Sequence, residues 1–347
     1  MTRTTPPRPA DVAAVFPRLG PLARTATRLH PRPGSPSRQD SSVGGPLLWP
    51  SAEPWPHCDG THWAPDVLPA TSPADVRLLR EIRSAATSRP PEDRFYTPDE
   101  RAVVERINAG HPCPAGPVAL LPVAQLYVRE VPGLRPPGGA DLLQVLWCPF
   151  DHPGEIMPRT ELFWRSAAAV GGVLTTPPEP AAMQHRGYLP EPCLLSPEQI
   201  TEYPLTVELE PDLCEEIEAW SVRQKAGALP GSAYEGMEEM YYDRELAVSP
   251  GWKVGGWAPW SFTDPTTQHC RVCDSPMEPM LTIASREHKT GIGSWTPLED
   301  QAAAASSPDA VPPDPTTPTQ VTIGDAYNQQ IYACPASPEH PHTALMQ

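Results

Sequence analysis

The clearest chemical signal in the chain is Cys270-Arg-Val-Cys273, followed by Cys334, His340 and His342. A two-residue spacer lets both thiolates reach one tetrahedral ion from a single turn, and a later Cys/His pair can close the site. Cys270, Cys273, Cys334 and His340 are therefore candidate ligands of a structural zinc. Against this, the second pair lacks tight zinc spacing, and the first half offers only Cys58 without a matching CxxC. Two buried thiols side by side are the plainer expectation, which leaves no cofactor. Cys148 with His152 suggests a thiol nucleophile, but such a thiol needs a nearby cation or helix N-terminus to lower its pKa. Cys148 ends the apolar run 142–147, so a neutral core cysteine is expected.

The remaining chemistry is negative. The chain contains no Gly-x-Ser-x-Gly, His-Glu-x-x-His or Walker A motif, and Gly291-Ile-Gly293 does not complete a dinucleotide fingerprint. The acids in Glu215-Glu216 and Glu238-Glu239 point to different helix faces, which is wrong for a paired acid and base. No catalytic residue is assigned. Ten tryptophans, several beside proline, either cap cores or line a groove, and Trp49 and Trp260 are the cleft candidates.

The elements that would position these residues are short, because 51 prolines remove ladder donors and fix φ. An N-terminal extension, 1–40, mixes apolar and basic residues. Ser72-Pro73 and Thr97-Pro98 are N-cap and N1 pairs that predict a helical hairpin over 72–110, stopped by Gly110. Strands are expected at 118–128, 142–150 and 161–170. A proline-rich, irregular middle (175–210) leads to a helix opened by Pro211, with Leu213, Ile217 and Trp220 on one face and Gly227 at its end. A second helical stretch, 234–247, brings Met237, Met240 and Tyr241 together as core. Strands follow at 280–285, 320–324 and 330–334, around an Ala/Ser/Pro/Asp tract, 301–318, that reads as a disordered loop.

The two halves share landmarks in the same order. Val43-Gly44-Gly45 precedes Trp49 and Cys58, and Val254-Gly255-Gly256 precedes Trp260 and Cys270. A proline-plus-apolar strand follows in each half, from Leu121-Pro122 and from Pro276-Met277. Gln144 through Cys148-Pro149 to His152-Pro153 matches Gln330 through Cys334-Pro335 to His340-Pro341. Glycine before a large aromatic suits a turn with φ > 0. The order predicts an α+β fold of two strand-rich pseudo-repeats, 41–174 and 251–347, related by a pseudo-two-fold. Inserted helices and long Pro-rich loops complete it, and 175–250 forms a linker with acidic helices. The blocks 43–50, 122–126, 141–153 and 252–257 resemble the YwqG-like domain family of bacteria, in its long actinobacterial form. The resemblance implies an α+β, internally duplicated architecture without known catalytic residues, and only a weak hint of an immunity role.

Charge narrows the partners. Lys plus Arg is 26 and Asp plus Glu is 42, a net charge of −16, which excludes general affinity for nucleic acid. Thirteen of the acids fall between Glu198 and Glu245 against three basic residues. The acids Glu215, Glu216, Glu218, Glu238 and Glu239 are either a solvated face or a docking surface for a basic protein partner. No signal peptide and no run of about 20 apolar residues is visible, so a cytoplasmic protein with no membrane partner is expected. The function expected is non-enzymatic protein binding or immunity. The alternative is an enzyme of unrecognised type with its site between the two pseudo-repeats.

Overall fold

The computed structural model describes residues 2–62, 69–226, 234–288, 293–301 and 314–347. These residues form an α+β protein with three antiparallel sheets. In the first half the strands are β1 (Arg24–Arg28), β2 (Arg32–Pro33), β3 (Ser42–Val43), β4 (His57–Cys58), β5 (Val118–Ala119), β6 (Leu121–Tyr127), β7 (Leu142–His152) and β8 (Glu155–Arg165). Then come β9 (Cys193–Leu194), β10 (Glu198–Glu202), β11 (Lys253–Gly255), β12 (Glu278–Ala284), β13 (Asn328–Ala333) and β14 (Thr343–Met346). The helices are α1 (Val12–Val15), α2 (Pro73–Thr87), α3 (Pro98–Ala109) and α4 (Pro211–Lys225). No helix among the described residues is long and apolar enough to cross a membrane.

Local sequence explains the helices. Ser72 caps α2 by accepting from the Asp75 amide, and Val76, Leu79 and Ile82 bury one face. Thr97 and Glu100 form a reciprocal capping box on α3, and Gly110 ends it at φ 64°. A Cβ at Gly110 would lie 2.8 Å from the Ala70 carbonyl oxygen, so only glycine fits. On α4, Leu213 and Ile217 are buried, and Trp220 stacks on Tyr241 with centroids 5.7 Å apart.

One six-stranded sheet runs β10-β1-β11-β12-β13-β14 and the other β2-β9-β3-β6-β7-β8. The chain changes sheets twice, once between β1 and β2 and once between β9 and β10. β6 meets β7 with a register shift between Pro122 and Ala124, and β12 meets β13 with one between Pro279 and Leu281. Each shift begins at a proline, which cannot donate to the ladder. One apolar core joins the two sheets, with Val43, Val123, Leu126, Val145 and Trp147 packed with Trp252, Val254, Leu281, Ile283 and Ile331. A second core lies under α4, where Phe16, Leu213, Ile217 and Tyr242 meet.

Several sequence expectations need correction. Residues 1–40 are no extension, because β1 sits inside one sheet between β10 and β11. The middle segment supplies β9 and β10, so it is more than a linker. The strand expected at 161–170 starts at Glu155 and ends at Arg165. Residues 320–324 make only an isolated bridge, since Gln320 and Gly324 both have positive φ (53° and 52°). The stretch 234–247 is a 3-10 turn at Glu238–Met240 followed by a π-turn at Asp243–Ala247. Tyr241 is buried there, but Met237 and Met240 are exposed and belong to no core. Of the expected loop 301–318, residues 302–313 lie outside the described residues, while Thr316 is buried in a turn. Gly227 and Gly291 also lie outside them.

Candidate metal centre

Cys270 and Cys273 sit on one tight turn, closed by the Asp274 amide donating to the Cys270 carbonyl at 2.8 Å. Asp274 takes φ 57° to complete it. Cys334 is the first residue past β13, and His340 closes a later turn by donating its amide to the Ser337 carbonyl. Together they place four donor atoms within 4.8 Å of one another. Nδ1 of His340 lies 3.4 Å from the Cys270 sulfur, 3.6 Å from that of Cys273 and 3.3 Å from that of Cys334. The sulfurs of Cys273 and Cys334 are 3.5 Å apart. Zinc bond lengths in a tetrahedron give about 3.6 Å between sulfur and nitrogen and about 3.8 Å between sulfurs. The four side chains already stand close to the edges of such a tetrahedron.

The surroundings suit thiolates. The Val272 amide lies 3.5 Å from the Cys270 sulfur, and backbone amides of Ser275 and of Ala336 and Ser337 face the sulfurs of Cys273 and Cys334. These amides orient and stabilise charged sulfur as outer partners of a metal site do. Hydrogen bonding by Ser275, side chain and backbone, draws the Cys273 thiol down to about 6. Burial moves Cys334 the other way. Of the neighbouring histidines, His342 points instead to the Thr160 carbonyl at 3.1 Å, and His269 turns Nδ1 to the Asp274 carbonyl at 3.0 Å.

A second cluster was not anticipated. Cys58, His62, Cys148 and His152 also bring four donor atoms within 4.8 Å. Nε2 of His62 lies 3.3 Å from the Cys148 sulfur, and Nε2 of His152 lies 3.8 Å from that of Cys58. Nδ1 of His152 meets the Thr61 carbonyl at 3.1 Å. Burial, then the charge of Arg159, lowers the pKa of both imidazoles. Burial, then the neighbouring Cys58, raises Cys148. The signal in the sequence was the spacing Cys58-x₃-His62, repeated by Cys148-x₃-His152.

The other candidates separate. Trp49 is buried against Trp55 and Phe163 at 5.0 Å each and lines no cleft. Trp260 is half-buried beside Cys270 and Cys334. A groove of about 790 Å³ does run between the two sheets, but Trp164, Leu162, Met280, Arg24, Arg135 and His342 wall it. Many acids of the run 198–245 have internal work. Glu198 accepts from Thr5 and faces His30, Asp243 accepts from Thr206, and Glu245 accepts from Tyr234. Glu202 is fully buried, bonded to Lys253 at 2.7 Å and to the amides of Ser249 and Trp257 at 2.9 Å each. Glu215, Glu216 and Glu239 are exposed, and Glu218 and Glu238 half-buried. No protein-family model matches the chain, and no curated protein matches it.

Proposed function

We propose that this chain is a non-enzymatic binding scaffold whose second half is stapled by a structural zinc at Cys270, Cys273, Cys334 and His340. The observation that carries the reading is the closed set of four donors at tetrahedral separations, backed by amides aimed at the sulfurs. Four protein donors leave no open coordination position, which marks a structural rather than a catalytic centre. The reading reverses the sequence-based expectation of no cofactor.

The same reading takes the two six-stranded sheets as copies of one unit, on the YwqG-like plan that the sequence blocks suggest. Matching strand orders support it, as do the two proline-initiated register shifts at corresponding places. Val43 pairs with Ala124 as Val254 pairs with Leu281, and Gln144 with Gln125 as Gln330 with Thr282. The sheet-changing segments also correspond. Arg28 pairs with Glu198 as Leu194 pairs with Arg32, the arrangement a pseudo-two-fold requires. The partner surface is the outer face of α4 and its neighbour turn, where Glu215, Glu216 and Glu239 stand exposed for a cationic protein.

Elemental analysis of protein purified without chelator tests the zinc. At least one equivalent per chain is expected, with one equivalent lost in both Cys270→Ser and Cys334→Ser. Wild type with well under one equivalent, or variants with undiminished content, would overturn the reading.

A further inference from the structure

We propose that Cys58, His62, Cys148 and His152 hold a second zinc-class ion, in a site that is the diverged copy of the first. The inference rests on the duplication just argued. Trp147 pairs with Leu121, the residue before Pro122, and Ala333 pairs with Glu278, the residue before Pro279. Cys148 and Cys334 each follow directly, and each begins a Cys-Pro step. In both the amide two residues on, of Phe150 or of Ala336, faces the sulfur. Cys58 comes nine residues after Trp49, and Cys270 ten after Trp260. His152 follows Cys148 by four residues and His340 follows Cys334 by six. Three ligand positions therefore correspond. The fourth has changed type, from Cys273 in one copy to His62 in the other.

Chance apposition of thiols does not predict this pattern. It gives no reason for the same three landmarks to converge twice, nor for a fourth donor to complete each set. The His152 ring adds an independent sign, with Nε2 toward the cluster and Nδ1 toward the Thr61 carbonyl. A backbone partner on the far nitrogen fixes the tautomer and orientation of a ligating histidine. Two imidazoles and two thiolates suit a tetrahedral divalent ion and balance its charge, whereas three thiolates leave one net negative charge on the other centre. The ion would clamp β4 and the loop through His62 onto the end of β7.

Cobalt titration of metal-stripped, full-length protein reads both sites. Two equivalents with tetrahedral ligand-field bands are expected. Cys148→Ser should keep one ion with three-thiolate charge-transfer intensity, and Cys334→Ser one ion with two-thiolate intensity. Saturation at one equivalent that Cys148→Ser leaves intact would overturn this proposal while leaving the first zinc standing. Loss of neither ion's absorption in Cys334→Ser would instead remove the reading beneath it. Should the variants fail to fold, alkylation of wild type followed by peptide mass spectrometry decides the matter. Cys58 and Cys148 should be protected with zinc and labelled after chelation, while buried Cys193, bonded to the Pro318 carbonyl, serves as the control. Equal labelling of Cys58 and Cys148 in both states overturns the proposal.

Discussion

Replacing Lys253 by methionine should destabilise the protein far more than a surface change. Lys253 and Glu202 are both fully buried, on strands that flank β1, and the ammonium lies 2.7 and 2.8 Å from the two carboxylate oxygens. At an effective dielectric of 20, an attraction across 2.7 Å is about 6 kcal/mol. Removing the ammonium forfeits that attraction but leaves the carboxylate its bonds from Ser249 and Trp257. The expected net loss is about 3–5 kcal/mol, the usual cost of leaving one buried charge uncompensated. In Lys253→Met the Glu202 carboxylate stays buried without its counter-charge, and burial penalises the charged form. The variant should therefore be closest to wild type at acidic pH and lose stability as pH rises. Urea unfolding followed by tryptophan fluorescence, at pH 5 and pH 8, measures this, and Trp252 and Trp257 lie on either side of Lys253 in sequence. Lys253→Met with Glu202→Leu should recover much of the loss. A single variant within about 1 kcal/mol of wild type at pH 8 would refute the reasoning.

Two further outcomes are expected. Burial holds the His30 ring down to about 4 despite its hydrogen bond with Glu198, so the unfolded chain takes up a proton between about 6.5 and 4 that the folded chain refuses. Stability should fall by up to roughly 3 kcal/mol as pH drops through that window, and thermal melts of His30→Asn should show a shallower fall; an unchanged slope would assign the acid sensitivity elsewhere. Reversing Glu215, Glu216 and Glu239 to lysine should leave the melting temperature in place, because all three are exposed, and should abolish capture of a cationic partner at low salt. Undiminished capture would leave that face merely solvated.

Local signals were legible in the sequence and remote ones were not. The caps at Ser72-Pro73 and Thr97-Pro98 carry their information within four residues, and α2 and α3 begin where those caps place them. β10 reads Glu-Gln-Ile-Thr-Glu, with Ile200 its single apolar residue, and its partner β1 lies far away in sequence, so nothing local marks it. The CxxC was visible because its geometry is complete in one turn. The first-half cluster depends on a loop that brings His62 to Cys148, and the apolar run before Cys148 argued for a plain buried thiol. The acid run was legible only as composition, since sequence alone does not separate Glu202, fully buried, from Glu215, exposed.

The exchange of strands between the sheets has a consequence for biosynthesis. β1 leaves the ribosome well before its neighbour β11, which begins at Lys253, more than two hundred residues later. At roughly 5–20 residues per second, the first strand waits on the order of ten to forty seconds for that edge to arrive. During that interval Ala26 and Leu29, both fully buried in the finished protein, have no native cover. The seven arginines within the first forty residues keep this waiting segment charged and soluble, which limits its pairing with other nascent chains.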